Sequence, residues 1–185
     1  MDTYKIAILI GSLRKGSYNR KMANAIISSN PENLTFEIID ISNLALYNED
    51  LDIQAPDSWK KFREEIKAFD GVLFLTPEYN RSVPAVLKNA IDVGSRPYGK
   101  SVWAGKPTAI ISVTPGNLGA FGANHHLRQS LVFLDMPAMQ QPEAYISGAS
   151  KLFDEQGNII NEKTIEFVNK FLGAFTKWVE KNITK

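Results

Sequence analysis

Four apolar runs rich in β-branched residues punctuate the chain: Ile6–Ile10, Leu34–Ile41, Val72–Thr76 and Thr108–Val113. A weaker fifth run lies near Ala138–Ile146. Between them the apolar residues recur at helical spacing over Tyr18–Ser29, Asp57–Phe69, Val83–Val93 and Ala120–Leu134, and again over Glu162–Lys181. Strands that are apolar on both faces must be covered on both faces, and helices inserted between them supply the cover. The pattern predicts an α/β three-layer sandwich built on a five-stranded parallel sheet. With right-handed crossovers the expected strand order is 2-1-3-4-5. In that order a ligand crevice opens at the carboxyl ends of strands 1 and 3, where the order reverses.

Length and composition narrow the class. A chain of 185 residues suits a single domain, 1–185, able to bury its core without staples. Cysteine is absent, so there is no disulfide framework, thiol nucleophile or thiolate metal site. No run approaches membrane-spanning length and no signal-peptide pattern precedes the first strand, so a cytoplasmic protein without a membrane anchor is expected. A net charge of +1 argues against general nucleic-acid binding. The stripe Ile165, Val168, Phe171, Leu172, Phe175, Trp178 and Val179 reads as core packing of the last helix.

The loop after the first strand is Gly11-Ser12-Leu13-Arg14-Lys15-Gly16-Ser17-Tyr18-Asn19-Arg20. It is small, hydroxyl-bearing and basic, and it feeds a helix N-terminus where unpaired N–H groups and the positive dipole end converge. No acidic residue lies between Asp2 and Glu32. A first helical turn normally favours Asp or Glu, so here the dipole awaits an external anion. The plain alternative is a connection with Ser17 as an ordinary N-cap. The glycine spacing is neither that of a P-loop nor that of a dinucleotide fingerprint.

Two further loops fall at neighbouring strand ends. Thr76-Pro77-Glu78-Tyr79-Asn80-Arg81-Ser82-Val83-Pro84 follows strand 3, and its Glu78, Tyr79 and Asn80 amides are expected to face the polar edge of a planar heterocycle. Tyr79 would add an aromatic wall. Thr114-Pro115-Gly116-Asn117-Leu118-Gly119-Ala120-Phe121-Gly122 follows strand 4, and its glycines allow a ligand close to the backbone. Each loop alone reads as a turn. Together they describe a cradle for a mononucleotide with a flat ring system, which flavin mononucleotide (FMN) fits best.

The sequence resembles the NADPH-dependent FMN reductases of flavodoxin-like fold, a group that includes quinone, azo-dye and chromate reductases. Gly11-Ser12-x-Arg14-x-x-Ser17-x-Asn19 is similar to that family's phosphate loop. Thr76-Pro77-Glu78-Tyr79-Asn80-x-Ser82-x-Pro84-x-x-Leu87-Lys88-Asn89-Ala90-Ile91-Asp92 is similar to its flavin-edge motif. Ala104-Gly105-Lys106-Pro107 and Leu127-Arg128-Gln129 extend the likeness. The resemblance implies that Ser12, Arg14, Ser17, Tyr18 and Asn19 hold the FMN phosphate. It places Pro77, Glu78, Tyr79 and Asn80 along the ring, with Ser112 or Thr114 and Gly116 nearby. The sequence departs from the family at Gly119-Ala120-Phe121-Gly122, where a double glycine is common, while Arg81 lies at a variable position of the second motif and is expected to add a substrate-facing charge.

The implied activity is ping-pong transfer of a hydride from NADPH or NADH to FMN, then two-electron reduction of a quinone-like, azo or chromate acceptor, with no metal and no catalytic side chain. The competing reading is a flavodoxin-type electron carrier, a class whose usual strong acidity this chain lacks. A non-enzymatic nucleotide sensor is a third. The resemblance also implies a homodimer or homotetramer built through the third and fourth helices. His125 and His126 are consecutive, point to different helix faces and do not suit a metal pair. Trp59, Trp103 and Trp178 are read as packing residues, and the long segment 42–56 as either a lid or a solvated loop.

Overall fold

Strand β1 (Tyr4–Ile10) lies inside the sheet, paired in parallel with β2 (Leu34–Ile39) on one side and β3 (Gly71–Thr76) on the other. β4 (Thr108–Val113) and β5 (Ala144–Ile146) complete the parallel order β2-β1-β3-β4-β5, as the alternation of strands and helices predicts. The computed structural model describes residues 3–29 and 31–183.

Alternate residues of β1 face opposite layers, which is the pleat at work. Ile6, Ile8 and Ile10 pack under α1 (Tyr18–Ser29) and α5 (Glu162–Asn182), meeting Met22, Ile26, Phe171 and Phe175. Ala7 and Leu9 pack under α2 (Asp57–Lys67), α3 (Ala85–Gly94) and α4 (Phe121–Phe133), meeting Trp59, Phe62, Leu87 and Leu127. Every residue of β3 and β4 is buried, the signature of a sheet covered on both faces. Helix α1 therefore leaves β1 toward one face while α3 leaves β3 toward the other. The crevice between their starting loops lies at the reversal of strand order.

Element ends differ from the sequence pattern where proline or a local bond intervenes. β5 is only three residues long, because Pro142 interrupts the expected run and Ala138 and Met139 make a separate contact with Thr108. α3 begins at Ala85, after Pro84, rather than at Val83. The α5 stripe is buried at Val168, Phe171, Leu172, Phe175 and Val179, while Ile165 stays partly exposed.

Trp59 and Trp103 are fully buried; their indole N–H groups donate to Ala45 O and Ile91 O, both at 2.9 Å. Trp178 is half-buried and donates to Pro137 O at 2.7 Å. All three are packing residues, as expected.

The segment 42–56 is fastened rather than loose. Asn89, on α3, accepts from Tyr47 N at 2.8 Å and donates to Leu44 O and Ala45 O at 3.2 and 3.1 Å. Asp52 accepts from the Tyr47 hydroxyl at 2.9 Å and pairs with Arg63, which is itself anchored on Val93 O. The motif residue Asn89 thus serves a loop 42 residues away in sequence. Replacing it leaves buried groups of the loop unpaired, so Asn89→Ala should lower stability by about 1–3 kcal/mol. A urea-unfolding midpoint equal to that of the unaltered protein would contradict this role.

Candidate functional site

The three informative loops meet at one edge of the sheet. Register places Ile10 beside Leu75 and Thr76 beside Ser112, so the ends of β1, β3 and β4 are level. Gly11 N donates to Leu75 O at 2.8 Å, and Asn19 Nδ2 donates to Val113 O at 3.1 Å, tying the start of α1 to the end of β4.

In the first loop, Ser17 is the residue at which α1 begins. Its carbonyl accepts from Lys21 N at 2.9 Å and its hydroxyl accepts a long bond from Arg20 N at 3.4 Å. The amides of Ser12 through Gly16, and those of Tyr18 and Asn19, have no protein acceptor among the described residues. No acidic side chain occupies the first turn. Arg14 and Lys15 are exposed; Arg14 bonds Gly16 O at 3.2 Å and lies over the Tyr18 ring at 5.3 Å. Tyr18 stacks on Phe153 with centroids 6.2 Å apart, and Lys21 reaches Asp154 O. These contacts brace the loop from outside and leave its donors free.

Asn19 carries a further signal. Its side chain is buried, and Oδ1 has no hydrogen-bond partner. Buried acceptors are normally satisfied. This one waits for a donor, which a polyol chain attached to a phosphate would bring. The free amides, the exposed cations and the orphaned acceptor fit a sugar-alcohol phosphate such as the tail of FMN.

The second loop is a tight hairpin. Tyr79 N donates to Ser82 O at 3.1 Å and Ser82 N to Tyr79 O at 2.8 Å, with Asn80 and Arg81 both left-handed at φ 49° and 64°. That is a turn with positive φ at both central residues. The Tyr79 amide is therefore spent inside the turn and does not face a ligand, contrary to expectation. The amides of Glu78 and Asn80 remain uncommitted among the described residues. The Tyr79 ring is exposed, as a wall requires. Pro77 accepts the Thr76 hydroxyl at its carbonyl, at 2.8 Å.

Glu78 has a role that its sequence context hides. Its Oε2 accepts from Ala123 N at 3.2 Å, in the first turn of α4, while Oε1 pairs with Arg81 Nη1 at 3.1 Å. The carboxylate thereby supplies α4 with both a capping acceptor and the favoured charge at its positive end. Gly122 makes this approach possible, because a Cβ there would lie 2.9 Å from Arg81 O and from Glu78 Oε2. His126, on the same helix, binds Ser82 Oγ through Nδ1 at 2.9 Å. His125 faces away, toward Phe121 and the Tyr145 hydroxyl. Burial, reinforced by Glu143, pushes the Tyr145 phenol up to about 12, so it stays protonated at neutral pH. Sequence reasoning missed both histidine contacts, which have no local periodic signal.

The third loop differs from expectation in two places. Ser112 is fully buried and is spent on Gly119 O at 2.6 Å, Ala144 O at 3.1 Å and Asn124 Nδ2 at 3.3 Å. It shapes the loop from beneath and reaches no ligand. Gly116 N donates to Thr114 Oγ1 at 3.3 Å, so this amide is internally satisfied too. Pro115, Gly116, Asn117 and Leu118 are exposed and form the outer rim.

Gly119 and Ala120 are consecutive left-handed residues, at φ 60° and 57°. Within the stretch Gly119-Ala120-Phe121-Gly122 the second position thus favours glycine's conformation, and Ala120 adopts it under strain.

A roomy cleft lies elsewhere. It encloses about 980 Å3 between α3 and α4 and is lined by Tyr47, Asp92, Arg96, Tyr98, His126 and Phe133, among others. His126 joins it to the second loop. Among the described residues no cluster of His, Cys, Asp and Glu could hold a metal ion, and no helix is long and apolar enough to cross a membrane.

Residues 4–151 match the protein family described as NADPH-dependent FMN reductase. The chain belongs to that family. A quinone reductase of Pseudomonas putida is 59% identical over 182 residues, covering 98% of this chain and 97% of the relative. A 2-hydroxy-1,4-benzoquinone reductase of a Burkholderia species is 44% identical over 175 residues, covering 95% and 96%. The solved flavoenzyme NAD(P)H:(acceptor) oxidoreductase FerB of Paracoccus denitrificans superposes with a TM-score of 0.92 at 39% identity, covering 98% of this chain and all of that one. Membership agrees with the parallel order of the sheet, and Ala120 stands in the third loop in a conformation that favours glycine. Ala120→Gly should therefore raise stability by about 0.5–1 kcal/mol by relieving the left-handed alanine. Equal or lower stability of the variant in thermal unfolding would contradict that reading.

Proposed function

We propose that this protein is a cytoplasmic FMN-dependent NAD(P)H:quinone oxidoreductase. The observation that carries the reading is the acid-free start of α1, whose unpaired amides lie at the strand-order reversal beside the uncommitted Glu78 and Asn80 amides. Bound FMN would supply the redox chemistry, taking two electrons from NAD(P)H and delivering them to the acceptor. Everything else falls to the chain. Ser12, Arg14, Ser17, Tyr18 and Asn19 hold the phosphate: the backbone gives oriented donors, Arg14 gives a planar guanidinium, and the helix dipole gives a matching field. Asn19 Oδ1 takes a hydroxyl of the ribityl chain.

Pro77, Glu78, Tyr79 and Asn80 line the ring. The Glu78 and Asn80 amides donate to its polar edge and favour negative charge there, while Tyr79 covers one side. Thr114 and Gly116 bound the opposite rim through the shape of their loop. Ser112 acts on it through Gly119. No side chain at the site is needed as a nucleophile. The names of the Pseudomonas and Burkholderia relatives support a quinone as acceptor.

The exposed face of α3 and α4 completes the proposal. Tyr98, Val132 and Phe133 are each at least 80% exposed there, beside the large cleft. A second copy of the chain covers this face in a homodimer, which two-fold pairing can extend to a tetramer.

The test is anaerobic mixing of the FMN-loaded protein with NADPH. Flavin absorbance should bleach, then return on addition of a benzoquinone with one quinone consumed per flavin. A flavin that stays oxidised under NADPH would overturn the function. Arg14→Ala should weaken FMN binding by about ten-fold or more while leaving the unfolding temperature of the apoprotein unchanged, because Arg14 is exposed and supports no core contact. Unaltered FMN affinity in a fluorescence titration would remove Arg14 from the phosphate site.

A further inference from the structure

Arg81 occupies a place that backbone sterics reserve for other residues. Both central positions of the Tyr79–Ser82 turn need positive φ, which favours Asn-Gly. Asn80 suits the first position. The second holds an arginine at φ 64°, a conformation that costs free energy for any residue with a Cβ and that glycine would relieve. Such strain persists only where the surrounding structure holds it, and it concentrates at functional positions.

Here the surroundings do hold it. Arg81 O abuts Gly122, and Arg81 Nη1 is tied to Glu78 Oε1 at 3.1 Å. Glu78 is mostly buried and divides its charge between Arg81 and the start of α4. It orients the guanidinium without neutralising it fully. The Arg81 side chain is 74% exposed, and its remaining N–H groups make no bond among the described residues. A pre-oriented fork of donors therefore projects from the rim of the loop that lines the flavin ring. Its chemistry suits a phosphate, which a guanidinium can grip through two parallel hydrogen bonds. The phosphate of FMN already has its own donors on the first loop. The other phosphate-bearing reactant in the proposed reaction is the nicotinamide dinucleotide.

We infer that Arg81 determines the binding of the nicotinamide cofactor by gripping one of its phosphates, either the diphosphate bridge or the 2′-phosphate of NADPH. The inference rests on the function proposed above. Arg81 takes no part in the electron transfer; it sets where the reduced nucleotide docks. A glycine there would relieve the strain but could not reach the ligand.

The test compares FMN-loaded unaltered protein with Arg81→Gly and Arg81→Lys, using NADPH and NADH with a benzoquinone as acceptor. Arg81→Gly should raise the KM for NADPH about ten-fold, the scale of a lost hydrogen bond to a charged group. Arg81→Lys should recover part of that loss, since it keeps the charge and not the fork. The KM for the quinone and the affinity for FMN should stay put. Arg81→Gly should also unfold at a temperature about 2–4 °C higher, the shift expected from removing one strained residue in a chain of this size. A merely structural arginine would not combine a more stable protein with weaker nucleotide binding.

A loss confined to NADPH identifies the 2′-phosphate, and an equal loss with NADH identifies the diphosphate; both support the inference. Unchanged KM for both nucleotides overturns it, as does an equal rise for the quinone. If the unaltered protein oxidises neither nucleotide, the proposed function fails and this inference with it. If it does and only the Arg81 variants behave as unaltered, the inference alone fails.

Discussion

The start of α1 carries an electrostatic debt that the protein does not settle itself. A strand buried on both faces must end abruptly, and the chain then turns through a loop without acidic residues into a helix whose first amides stay unpaired. Such an end is stable only when water or an anion satisfies it. Because β1 sits between β2 and β3, α1 departs toward one layer and α3 toward the other. The unsatisfied end therefore opens onto a crevice. The remaining loops are arranged around that opening.

The second loop is tied across to the helix that the third loop begins. Glu78 caps α4, Gly122 admits the second loop against it, and His126 holds Ser82. Beneath the third loop, Ser112 fixes Gly119 through a buried hydroxyl. This cross-linking lets four left-handed residues, Asn80, Arg81, Gly119 and Ala120, persist at the edge of the site. Only the glycine adopts that conformation without a steric penalty; the other three depend on the frame around them. Rigid loops around a cofactor are what preorganised electrostatics requires, since donors that need not move cost nothing to align.

The sequence made the layers legible because strands and helices each carry a period. It revealed the sheet order and the packing roles of the tryptophans, which follow from topology and from local patterns. It also marked Gly119-Ala120-Phe121-Gly122 as a departure without showing that Ala120 takes a positive φ. What it hid are bonds between residues far apart in the chain. Tyr79 looked like a free donor, yet its amide closes a turn that depends on the φ of two neighbours. Ser112 looked available because it lies at a strand end, but the strand's pleat aims it at the buried Gly119 carbonyl. Glu78, Asn89 and His126 each act on a segment more than 40 residues away. No periodicity encodes such pairings, and side-chain-to-backbone bonds of this kind emerge only once the fold is assembled.

The central claim is that the anion-hungry start of α1 is the phosphate end of an FMN site. It is tested most directly by comparing the dissociation constants of the apoprotein for FMN and for riboflavin, which share the ring and the ribityl chain and differ only in the phosphate. The account predicts FMN binding tighter by about a hundred-fold or more, since several charge-assisted bonds depend on that group. Equal affinity for the two would contradict it.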